Sequence, residues 1–171
     1  MEHLKKIIRD IPDFPEPGII FRDITPLLRD HASMLQVTEH LVAPFKDSSI
    51  TAVAAMEARG FIFGSLAAQA LNAAFVPLRK PGKLPFTTES EAYALEYGNT
   101  SLEIHTDAVS STDRVLLIDD LIATGGTAVA GCRLLERLGA EVAGCAFVIE
   151  LDFLQGREKL NGYDIHTLLH Y

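Results

Sequence analysis

Between Val115 and Thr127 the chain reads VLLIDDLIATGGT, and this run constrains the fold more than any other. Val115–Ile118 is unbroken apolar sequence, which suits a strand covered on both faces, because a strand with one wet face would alternate. Asp119 and Asp120 follow at the strand's carboxyl end. A small polar turn, Ala123-Thr124-Gly125-Gly126-Thr127, then opens a helix over Gly126–Leu138 that stops at Gly139. A buried strand feeding a helix through a short turn is half of a βαβ unit, so an α/β chain with a mostly parallel sheet flanked by helices is expected.

The rest of the sequence repeats that alternation. Asp30 or a neighbour caps a helix reaching Phe45, Thr51–Met56 reads as a strand, Gly60–Asn72 as a helix and Ala74–Leu78 as a strand. Residues 60–78 carry no charge, but the stretch is rich in Ala and Gly and broken at Pro77, so it reads as a buried helix feeding a strand rather than a membrane span. Arg79–Ser90 (RKPGKLPFTTES) is a polar loop, and long loops inside compact domains usually carry function. Beyond it, Ala92–Tyr97 and Thr100–His105 flank Gly98-Asn99, predicting an antiparallel hairpin with a two-residue turn. Arg114–Ile118 and Glu141–Leu151 read as central strands, and Tyr163–Tyr171 as an edge strand. With no internal repeat and no linker, residues 1–171 read as one domain.

Charge narrows the partners. Fifteen Lys and Arg against 23 Asp and Glu leave a formal charge of −8, which disfavours a protein that neutralises nucleic-acid phosphates or an anionic membrane. Cys132 and Cys145 form no CxxC pair, and read as small core residues in a reducing cytoplasm. The opening MEHLKKIIRD alternates charged and apolar residues, so no export signal is expected. The six histidines are scattered and read as surface groups, including His166 and His170, the one i, i+4 pair.

The segment at 115–127 also carries chemistry. Ligand crevices open at the carboxyl ends of parallel strands. The backbone N–H groups of 123–127 would point from a helix start toward a phosphate, Thr124 and Thr127 adding hydroxyl donors and Gly125 and Gly126 allowing close approach. Asp119 and Asp120 could accept hydrogen bonds from vicinal hydroxyls or hold magnesium through water. Neither GxxxxGK[ST] nor GxGxxG occurs, so a triphosphate loop and a dinucleotide fingerprint are excluded.

As a unit, this segment resembles the phosphoribosyl pyrophosphate (PRPP) signature of the type I phosphoribosyltransferases. Pro17–Pro26 (PGIIFRDITP), Glu57–Phe61 (EARGF) and Leu95–Gly98 (LEYG) further resemble the adenine-specific branch of that family, and with residues 79–85 the resemblance covers almost the whole chain. It implies transfer of 5-phosphoribose from PRPP to adenine, giving AMP and pyrophosphate in purine salvage, in a cytoplasmic homodimer with magnesium. Magnesium would be held mainly through PRPP and water, with Asp119 or Asp120 as the protein's contact. The implied fold adds a flexible antiparallel flap and a small N-terminal hood, residues 1–30.

Displacing pyrophosphate builds positive charge on the ribose and negative charge on the leaving group, so carboxylates should lie near the sugar and cations near the diphosphate. Asp119 and Asp120 fit the first role. The resemblance assigns Arg59, Arg79, Lys80 and Lys83 to the second, beneath a closing loop at 81–90. It also gives Glu96 as general acid/base at the purine, Tyr97 on the pyrophosphate side, the main chain of Ile20–Arg22 as the reader of adenine, and Phe21 and Leu151 as its apolar walls. Two alternatives remain: another purine base, or a PRPP-binding regulator without catalysis. The second is disfavoured because the N-terminal arm is too short for a helix-turn-helix.

Overall fold

The computed structural model describes residues 2–94 and 99–171. Its elements run α1 (Glu2–Lys5), β1 (Arg9–Pro12), β2 (Ile20–Asp23), α2 (Thr25–Arg29), α3 (His31–Val42), β3 (Ala52–Met56), α4 (Gly60–Leu71), β4 (Ala74–Leu78), β5 (Thr88–Ala94), β6 (Asn99–His105), β7 (Arg114–Ile122), α5 (Gly126–Arg137), β8 (Glu141–Glu150) and β9 (Ile165–His170). Short 3-10 turns cover Ala43–Phe45, Asp152–Leu154 and Gly156–Leu160. Five parallel strands form the central sheet in the order β4-β3-β7-β8-β9.

Both faces of that sheet are covered, as the apolar runs require. Along β7, Val115 and Leu117 join one core while Leu116 and Ile118 join the other, the period-two alternation of a strand buried on both sides. The first core contains Leu134 and Leu135 of α5 with Leu102 and Ile104 of β6. The second contains Val37 and Leu41 of α3, Phe63 of α4, and Leu4, Ile24 and Leu27 from the N-terminal segment. The Asp30 carboxylate accepts the Ser33 N–H at 2.9 Å and caps α3, an interaction worth about 1 kcal/mol.

Three expected boundaries shift. β7 runs four residues past Ile118, so Asp119 and Asp120 lie inside a strand rather than after it. The reason is the ladder: β3 pairs β7 only as far as Ile118, whereas β8 accompanies it to the Ile122–Glu150 pair. The acids therefore sit where one neighbour has ended and the other has not, and this opens a crevice. In the hairpin, β5 begins at Thr88, so the last residues assigned to the polar loop are already strand. Tyr93 pairs Thr100 and Ala94 pairs Asn99, so Asn99 belongs to β6 and not to a two-residue turn. The expected strand residues 95–97 and Gly98 lie outside the described residues.

The root of the hairpin is built into the molecule. Leu102 and Ile104 are buried against α5 and the sheet, and Glu91 forms ion pairs with Arg133 and Arg137 of α5. At the other end of the chain, β1 and β2 form an antiparallel pair. Arg22 ties it down through Asp10 and by lying 4.1 Å over the Tyr171 ring.

Candidate active site

A cavity of about 460 Å³ opens at the carboxyl ends of β3 and β7. Its wall holds Asp119 and Asp120, then Ala123, Thr124, Gly125 and Thr127, and across from them Arg59 and Lys80. These eight predicted residues are brought together. Gly126 is the first residue of α5 but faces a neighbouring groove beside Ala92 and Tyr93.

The turn owes its shape to two glycines that press backbone on backbone. Gly125 caps α5 at φ +77°, a left-handed conformation costly for other residues. A methyl group there would lie 3.0 Å from the carbonyl carbon of Gly156, and a methyl on Gly156 would in turn meet Gly125 N at 2.9 Å. The 3-10 segment at 156–160 thus buttresses the turn. On the opposite side Gly60 lets α4 start against the acids, since a Cβ there would stand 2.6 Å from Asp119 Oδ1.

Both adjacent acids are shifted upward in pKa. Burial and the neighbouring Asp120 charge push the Asp119 pKa well above the usual carboxylate range. Burial also raises that of Asp120, against the opposing pull of Arg59. Arg59 donates from Nε to Asp120 Oδ2 at 2.7 Å while its guanidinium lies 5.1 Å over the Phe21 ring. One side chain therefore links the N-terminal hairpin to the acids of β7.

The remaining cations have a different neighbour. Arg79 and Lys83 are absent from the cavity wall and turn to the buried carboxylate of Glu57. Glu57 itself lines the cavity, as do Tyr93 of β5 and Phe147 of β8; residue-level reading of the sequence assigned none of the three a role. The EARGF segment contains Glu57 and was the available signal for it; nothing comparable marked Tyr93, Phe147 or Gly156.

The residues expected at the base also lie outside the wall. Phe21 approaches through Arg59, Ile20 is half exposed, and the Arg22 side chain faces Asp10 and Tyr171 instead. Leu151 donates its N–H to Ile122 O at 3.0 Å, at the rim. β2 pairs only with β1 among the described residues, so alternate residues of Ile20–Asp23 present both backbone groups to a free strand edge. That edge offers an acceptor and a donor side by side. Glu96 and Tyr97 lie outside the described residues.

Metal-ligand chemistry appears at a second place, where Glu150, Asp152 and His170 converge. Arg157 already occupies the Glu150 carboxylate at 2.6 and 3.0 Å, so the cation there is a guanidinium. His166 and His170 turn to separate partners, the His40 carbonyl at 3.0 Å and Asp152 at 2.8 Å.

Comparison with known proteins bears on the family and the fold. The phosphoribosyl transferase domain profile matches residues 27–168. The chain is 63% identical to an adenine phosphoribosyltransferase of Methylococcus capsulatus and 60% identical to one of Nitrosococcus oceani, each over the full length of both chains. The crystal structure of the enzyme from Thermoanaerobacter pseudethanolicus superposes with a TM-score of 0.96 at 50% identity, covering 99% of each chain. That from Saccharomyces cerevisiae, crystallised with an imino-altritol bisphosphate and adenine, gives 0.92 at 40% identity over 98% of this chain and 97% of the other. A five-stranded parallel sheet, an acidic pair and a glycine turn on one cavity wall, and full-length identity of this degree lead to one assignment: the chain belongs to the adenine phosphoribosyltransferase family.

Proposed function

We propose that the chain transfers 5-phosphoribose from PRPP to adenine, releasing AMP and pyrophosphate. The observation that carries this is the convergence of Asp119-Asp120, the 123–127 turn and the cations Arg59 and Lys80 on one cavity. The 5-phosphate fits the turn, where backbone N–H groups and the start of α5 favour an anion. The acids face the ribose, whose C1 gains positive charge as the pyrophosphate leaves, and the cations face the diphosphate.

Magnesium suits this site, because two adjacent carboxylates line the cavity and, among the described residues, form an ion pair with Arg59 alone. Asp119 or Asp120 would contact it, mostly through water, and when bound it neutralises charge on the diphosphate. Adenine is read by the free edge of β2 at Ile20–Arg22, with Phe21 and Leu151 flanking it. Glu96 is assigned the proton transfer at the purine and Tyr97 the pyrophosphate side, both on sequence resemblance. The loop at 81–90 is assigned to water exclusion, which protects the activated sugar.

The exposed apolar residues Leu35, Ile62 and Phe75 on α3, α4 and edge strand β4 support a homodimer. A single sedimenting species at monomer mass would contradict it. Among the described residues no helix is long and apolar enough to cross a membrane. Buried, unbridged Cys132 and Cys145, with sulfurs 3.6 Å apart, suit a reducing cytoplasm. We read residues 1–171 as one domain, with residues 1–30 as the base-binding hood.

The function is tested by incubating the purified chain with adenine, PRPP and magnesium. AMP and pyrophosphate are expected in equal amounts, and release of pyrophosphate without AMP would refute the transfer. Glu96→Gln is expected to lower turnover with little effect on PRPP affinity, and full turnover would remove the acid/base assignment.

A further inference from the structure

Of the four cations assigned to the diphosphate, Arg59 and Lys80 line the cavity, Arg59 in an ion pair with Asp120, whereas Arg79 and Lys83 are both held by a single other acid, Glu57. Glu57 follows the last residue of β3, and its N–H is fixed to the Leu78 carbonyl at the end of β4, 2.9 Å away. Its carboxylate is 7% exposed and receives three donors: Arg79 Nε at 2.9 Å, the Lys80 backbone N–H at 3.2 Å, and Lys83 Nζ. Arg79 also donates from Nη1 to the Lys83 carbonyl at 3.0 Å. The 79–83 turn therefore wraps around one buried carboxylate. Its outer side is held by β6, where Arg79 and Glu103 exchange backbone hydrogen bonds at 3.0 and 2.7 Å and Glu103 Oε2 accepts the Gly82 N–H at 3.1 Å.

A buried acid beside a site for a polyanion is unfavourable by Coulomb's law alone. What it does here is geometric. By taking Arg79, Lys83 and the Lys80 N–H, it sets the backbone of the turn, and Lys80 is the residue of that turn found on the cavity wall. We propose that Glu57 is a positioning residue for the leaving group: it organises the 79–83 turn so that Lys80 meets the diphosphate of PRPP. The inference rests on the PRPP reading of the cavity. Despite its burial, the Glu57 carboxyl is held below the usual range by its bonds to Lys83, Arg79 and Lys80, so it stays charged in this role at neutral pH.

The two effects of Glu57 differ in sign, which makes the test decisive. If the acid acts only through its charge, Glu57→Gln removes a repulsion and pyrophosphate binds more tightly. If it positions the turn, binding weakens. Calorimetric titration of the full chain with magnesium pyrophosphate is expected to show Kd rising about tenfold in Glu57→Gln, the scale of one lost charge-assisted hydrogen bond. KM for PRPP should rise in parallel, with KM for adenine within about twofold of wild type. Glu57→Asp keeps the charge but is one methylene too short for all three donors, and should fall between the two. In a Lys80→Ala background the Glu57→Gln change should add less than about twofold, because contacting groups are non-additive.

Unchanged or tighter pyrophosphate binding in Glu57→Gln overturns the proposal, as does an equal rise in KM for adenine or an undiminished effect in Lys80→Ala. Should Glu57→Gln fail to fold, Glu57→Asp decides, and wild-type pyrophosphate affinity in that variant is likewise refuting. Wild-type turnover separates the two readings. If the wild type makes no AMP the functional assignment has failed, whereas normal AMP formation with unaltered binding in the variants removes only the role of Glu57.

Discussion

Replacing Gly125 by alanine tests whether the phosphate turn depends on a backbone close approach. Two penalties apply at once. A non-glycine residue at φ +77° costs about 1–2 kcal/mol. The new methyl would lie 3.0 Å from the carbonyl carbon and 3.2 Å from the Cα of Gly156, and forcing an extra methyl into a closed contact costs about 1–3 kcal/mol. Together they come to about 2–5 kcal/mol, so Tm should fall by about 4–20 °C for a chain this size. The neighbour is backbone and cannot rotate away, so the turn must move, and the amides proposed to face the 5-phosphate move with it. Losing one charge-assisted hydrogen bond weakens PRPP binding by about tenfold to a hundredfold. Scanning calorimetry and the KM for PRPP read the two effects. Gly125→Asn separates them, because asparagine tolerates the left-handed region but still carries a Cβ. A Gly125→Ala enzyme with wild-type KM for PRPP and unaltered Tm would refute the reasoning.

Other outcomes follow from the same geometry. An acid whose folded pKa is raised supports folding below its unfolded pKa of about 3.9 and loses that support as pH rises through the folded value. Asp119→Asn should therefore raise Tm at pH 7, with the gain vanishing toward pH 3–4, while KM for PRPP rises at least about tenfold; a variant less stable at pH 7 contradicts the raised pKa. Cys132 lies wholly buried with its sulfur 3.6 Å from Cys145. Cys132→Ser should keep turnover within about twofold while burying a hydroxyl at a cost of about 1–3 kcal/mol, so Tm falls by about 2–12 °C and activity assays at low temperature stay normal.

What could be read before the structure, and what could not, divides along physical lines. Val115–Ile118 announced a doubly covered strand because burial on both faces leaves a local signature, and the turn at 123–127 could be proposed as an anion site because backbone donors at a helix start need only local sequence. The length of β7 was not local: it depends on β8 continuing alongside to Glu150 after β3 has stopped. The register of β5 on β6 escaped for the same reason, since Gly98-Asn99 suggested a turn while the ladder pairs Ala94 with Asn99. Glu57 shares the EARGF segment with Arg59, but its partners Arg79 and Lys83 reach it only by folding back from a distant turn. Gly156 had no mark at all, because its importance lies in meeting Gly125 across space. Seven of the residues expected to touch substrate, Ile20, Phe21, Arg22, Arg79, Lys83, Gly126 and Leu151, stand off the cavity wall; Glu57 holds Arg79 and Lys83, and Asp10 with the Tyr171 ring holds Arg22.

The proposed function joins an adenine-reading strand edge to a PRPP cavity, and a competition among bases addresses both parts together. With PRPP, magnesium and equimolar adenine, hypoxanthine, guanine and xanthine, AMP should be the dominant nucleotide, matched one to one by pyrophosphate. Comparable amounts of the other nucleotides, or none of any, would contradict it.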